Sequence, residues 1–70
     1  MSNYLWLKWI LGRNYLLFNE TEIPLAWTGL LCNGNGISST IAAGQQASTG
    51  CLQVGSLNEG SLTIVSITPC

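Results

Sequence analysis

The residues best suited to chemistry in this chain are Cys32, Cys51 and Cys70, set at two equal intervals of nineteen residues. An odd number cannot pair fully within one chain. One disulfide with a free thiol, an intermolecular bond, and three reduced thiols acting as small hydrophobes are all open. Zinc is a poor fit, because the chain has no histidine and no closely spaced CxxC pair. Without histidine, a cysteine nucleophile also lacks its usual base.

The other reactive types form no constellation. Glu20 and Glu22 flank a turn ahead of Pro24 and read as solvated carboxylates, not an acid–base pair. Ser38, Ser39, Thr40, Ser48 and Thr49 have no histidine or suitable lysine to activate them. Gly34 and Gly36 are followed by no GK[ST], so they do not read as a phosphate loop. Asn19-Glu20-Thr21 matches a glycosylation sequon and is read as chance. No catalytic residue and no cofactor is expected, and the chain does not read as an enzyme.

Composition narrows the partners. Charged residues make up 7% of the 70, against roughly 25% in ordinary soluble domains. They are Lys8, Arg13, Glu20, Glu22 and Glu59, with a net charge of −1. Two cations five positions apart cannot track a phosphate backbone, so nucleic acid is not expected. Charge repulsion does little to keep copies apart. A neutral polar surface of this kind suits a protein packed among others.

Residues 15–70 read as an all-β domain. Strand-like segments at 15–19, 25–32, 37–42, 47–54 and 61–68 are separated by turn residues. The Asn33-Gly34-Asn35-Gly36 run supplies two Asn-Gly pairs suited to the positive φ of a hairpin turn. The last segment, SLTIVSIT, is β-branched, and Leu62, Ile64, Val65 and Ile67 suit both core and partner contacts. The expected fold is a small antiparallel β-sandwich or partial barrel of about five to six short strands, with an N-terminal apolar arm.

That arm occupies residues 1–13, and the β-domain residues 14–70. As a strand, it sets Leu5, Leu7, Trp9 and Leu11 on one wholly apolar face. Tyr4, Trp6, Lys8 and Ile10 share the other face. Helical periodicity segregates these residues poorly, so a strand or extended arm is favoured. No signal peptide or membrane-crossing helix is expected, since Lys8 and Arg13 interrupt the apolar run. Tyr4, Leu5, Trp6, Leu7, Trp9, Ile10 and Leu11 form the candidate partner interface, because Trp and Tyr concentrate binding energy. Alternatively, Trp6 and Trp9 complete the domain's own core. A membrane-surface role is a further reading, but the basic face usual in such segments is missing.

Residues 15–70, about four-fifths of the chain, resemble a small Cys- and Gly-patterned β-domain of tailed-bacteriophage structural proteins. The pattern is carried by Tyr15 and Asn19, Cys32 with Gly34, Ala43-Gly44 before Cys51, Gly55-Ser56, and a closing strand that ends at Cys70. The first fourteen residues depart from it. The resemblance implies a virion structural protein: a capsid decoration or cement protein, or a small tail or fibre component. It would assemble in the host cytoplasm as a homo-oligomer or part of a larger assembly, with copies of itself and other virion proteins as partners. The alternative function is a small accessory subunit of a membrane-associated complex, anchored by its aromatic N-terminal segment.

Overall fold

The computed structural model describes residues 12–70. Among these residues five strands run in chain order: β1 Gly12–Phe18, β2 Leu25–Leu30, β3 Gly36–Ile41, β4 Gln46–Gln53 and β5 Thr63–Pro69. They form two antiparallel sheets, one ordered β4-β1-β5 and the other a β2-β3 hairpin. No helix occurs among the described residues. β1 begins at Gly12, so Gly12 and Arg13, read in the sequence with the arm, belong to the central strand of the larger sheet.

Each strand follows from its local pattern. In β2, Trp27 turns inward while its neighbours Ala26 and Thr28 are exposed, the period-two alternation of a half-buried strand. The hairpin closes through one Asn-Gly pair, not two. Gly34 takes a φ of 95°, and the Asn33 carboxamide oxygen accepts a hydrogen bond from the Asn35 backbone N–H at 3.0 Å. Gly36 already lies in β3.

The core is small: Tyr15, Leu17, Trp27, Ile41, Leu52 and Leu62, with Leu25, Leu31, Ile37 and Leu57 packed against it. Leu52 joins the sheets. One of its methyl carbons lies 2.7 Å from where a β-carbon on Gly29 would stand, so any side chain there would have to displace Leu52. Isolated bridges Leu31↔Leu52 and Thr28↔Asn58 extend the same contact. The Ser56 hydroxyl accepts from the Leu30 N–H at 3.1 Å and donates to the Gln53 carbonyl at 2.8 Å. These links hold the smaller sheet over the β4 side of the larger one.

Two irregularities set the register. Between the pairs Asn14↔Cys51 and Leu16↔Ser48, β4 carries two residues, Thr49 and Gly50, opposite Tyr15 alone. This is a β-bulge, and Gly50 supplies its left-handed φ of 83°. The bulge removes the ladder partner of the Tyr15 N–H. The buried Thr49 hydroxyl accepts that bond at 3.2 Å and donates to the Gly50 carbonyl at 2.8 Å. The second irregularity falls in β5, where Val65 is extra between Leu16↔Ser66 and Leu17↔Ile64.

Candidate functional site

β5 is one of the two outer strands of the β4-β1-β5 sheet, and all seven of its residues are exposed. Ile64, Val65 and Ile67 expose 38%, 50% and 52% of their surface. Period-two alternation alone would put Ile64 and Ile67 on opposite faces, since they stand three residues apart. The bulge at Val65 changes this. Ile67 lies opposite Tyr15, and Ile64 opposite Leu17. Directly opposed residues share a face. Tyr15 and Leu17 are buried in the core, so Ile64 and Ile67 extend the core face beyond the β2-β3 cover, which packs on β4.

The ends of β5 are anchored. At its start, Leu62 is buried, and the Thr63 hydroxyl donates to the Glu20 carboxylate at 2.9 Å. At its end, Cys70 is disulfide-bonded to Cys51 of β4, with Cα atoms 6.0 Å apart. The Cys70 N–H also donates to the Gly12 carbonyl at 3.3 Å. β5 carries no charge along its length. Natural edge strands are usually blunted by lysine, proline or a covering segment. Here Pro69 and the Val65 bulge are the only such features in the strand. Its outward backbone groups and aliphatic side chains together suit the addition of another strand.

The chain enters the described structure at Gly12, beside Cys70 and therefore at the far end of β5. The candidate interface residues Tyr4, Leu5, Trp6, Leu7, Trp9, Ile10 and Leu11 lie outside the described residues. Of the alternatives open for the cysteines, the structure has one intrachain disulfide, Cys51–Cys70, and a free, exposed Cys32. The fold brings β4 and the end of β5 together over the start of β1. Trp27 is a core residue. Glu20 and Glu22 are exposed in the turn after β1, and no group of three metal-ligating side chains forms among the described residues.

Asn19 carries a role that its sequence signal, a sequon, did not indicate. It is fully buried, and all of its side-chain bonding capacity is used. Nδ2 donates to the carbonyls of Ile23 and Ile41, each at 2.8 Å. Oδ1 accepts from the Thr21 N–H at 3.0 Å and the Thr21 hydroxyl at 2.6 Å. Asn19 thus fastens the turn after β1 to the end of β3, and a glycan on Nδ2 is incompatible with this packing. Elements of the pattern quoted for residues 15–70 fall in turns, with left-handed glycines at 34, 44 and 55. No family model, curated protein or solved structure matches the chain.

Proposed function

We propose that this protein is a structural assembly module that works in multiple copies, with β5 of one copy receiving residues 4–11 of a neighbour. The observation that carries the reading is the open β5 edge, where Ile64 and Ile67 prolong the core face and stay 38% and 52% exposed. The proposed occupant matches it in length and character. Residues 4–11 number eight against seven in β5. As a strand they present Leu5, Leu7, Trp9 and Leu11 on one side. Burial at roughly 25 cal/mol per Å² makes even a short apolar strand effective when an assembly repeats it. The sparse charge removes an obstacle to close packing. Setting this assembly in a virion, as a capsid decoration or a tail or fibre component, rests on the residue pattern of 15–70.

Complementation tests the docking. A deletion of residues 2–11, stopping short of β1, keeps the receiving edge but loses the arm. Ile67→Lys keeps the arm but spoils the edge. Each alone is expected to sediment as a monomer, the two mixed as a one-to-one complex, and the intact chain as an oligomer. A monomeric intact chain would sink the assembly reading. Failure of the mixture to associate would remove the arm-to-edge contact. For the virion, antibody labelling of particles purified from the native source is expected to decorate them. Particles free of the protein would overturn that assignment.

A further inference from the structure

Two sulfurs converge on Gly12, and a third is bonded to one of them. Cys32 Sγ stands 2.7 Å from the point a Gly12 β-carbon would occupy, and Cys70 Sγ and Cβ each stand 3.3 Å from it. The sulfurs of Cys32 and Cys70 can therefore be no farther apart than the sum of those two distances. Cys70 is in turn bonded to Cys51. Glycine at position 12 leaves the volume in which they meet.

Cys32 is also the cross-strand neighbour of Cys51. The bridge Leu31↔Leu52 sets these two residues opposite one another. The Cys32 N–H donates to the Cys51 carbonyl at 3.3 Å. Opposed residues of an antiparallel pair direct their side chains to one face. Their Cα atoms stand about 4.5–5.5 Å apart, inside the roughly 4.4–6.8 Å that a disulfide spans. The backbone that carries the Cys51–Cys70 bond thus also suits a Cys32–Cys51 bond.

We propose that Cys32 is an internal exchange thiol that moves the disulfide between two positions. The Cys32 thiolate attacks Cys51 Sγ. A Cys32–Cys51 bond forms, the Cys51–Cys70 bond breaks, and Cys70 leaves as a thiolate that takes up the proton Cys32 released. One disulfide and one thiol exist before and after, so no oxidant or reductant is consumed. In the first state the bond ties β4 to the end of β5. In the second it ties the chain just after β2 to β4, and β5 ends in a free thiol. The inference rests on the sulfur geometry alone and stands whether or not copies associate through β5.

Two measurements test it. First, Cys70→Ser is folded in a glutathione redox buffer and its thiols are titrated. The expected result is closure of Cys32–Cys51 and no free thiol; two titratable thiols on a folded β-rich chain would overturn the proposal. Second, the intact protein is held at pH 8, quenched in acid and mapped by tandem mass spectrometry, which needs no variant to fold. Both Cys51–Cys70 and Cys32–Cys51 linkages are expected. Cys51–Cys70 alone, after incubation long enough for a small-molecule thiol to exchange with the same bond, would equally overturn it.

Discussion

Asn19 illustrates how one buried polar side chain organises a corner of a small domain. Its two donors and its acceptor oxygen each meet a partner at hydrogen-bond distance. Removing it leaves the carbonyl of Ile41 without that donor in a buried setting, and each such loss costs about 1–3 kcal/mol. Asn19→Ala is therefore expected to lower unfolding stability by about 2–4 kcal/mol, read from the midpoint and slope of urea denaturation. A loss below the error of the measurement would show that the corner holds by other means. Thr49 acts similarly at the β1–β4 bulge, where its hydroxyl takes the Tyr15 N–H. Thr49→Val keeps the shape and removes that acceptor, with an expected cost of about 1–2 kcal/mol.

At the level of elements, β1 and β5 differ sharply although they pair. β1 lies between two strands and holds the buried Tyr15 and Leu17. Among the described residues, β5 has a strand partner on one side only, and none of its own residues is buried. Local opening is easiest where few apolar contacts are made and backbone bonds face water. The β5 amides facing β1 are therefore expected to exchange with deuterium faster than those by which β1 pairs with β4. Exchange equal in both would mean that β5 is covered in solution. Because Ile67 is half exposed, Ile67→Lys should change the stability of a single copy by no more than about 0.5 kcal/mol. Its effect on association is then separable from any effect on folding.

At the scale of the molecule, the core of six buried hydrophobic residues among the described residues is slight. Chains of this size rarely draw more than about 3–5 kcal/mol from such a core. The Cys51–Cys70 bond joins residues nineteen positions apart, a constraint that contributes about 3 kcal/mol by the loop-entropy account. The staple thus rivals the core. Reduction with dithiothreitol is expected to lower the melting temperature by about 12–24 °C, followed by circular dichroism in the strand region. A shift of under a few degrees would show that packing alone holds the sheets.

The sequence by itself determined the class of this fold and the approximate place of its strands. Alternation of side chains and the turn preferences of Asn, Gly and Pro act over a few residues, so they are legible in the chain. Trp27 facing inward from an alternating segment and Gly34 in a hairpin turn are such local facts. The tertiary structure decided what depends on residues far apart. Two equal cysteine intervals gave no reason to expect Cys51–Cys70, which depends on the meeting of β4 with the end of β5. Residues 12 and 13 looked continuous with the apolar arm until their pairing with β4 and β5 drew them into the sheet. Ile64 and Ile67 came to share an uncovered face only because Val65 bulges from the ladder. A bulge arises from pairing between strands, and no period within one strand records it.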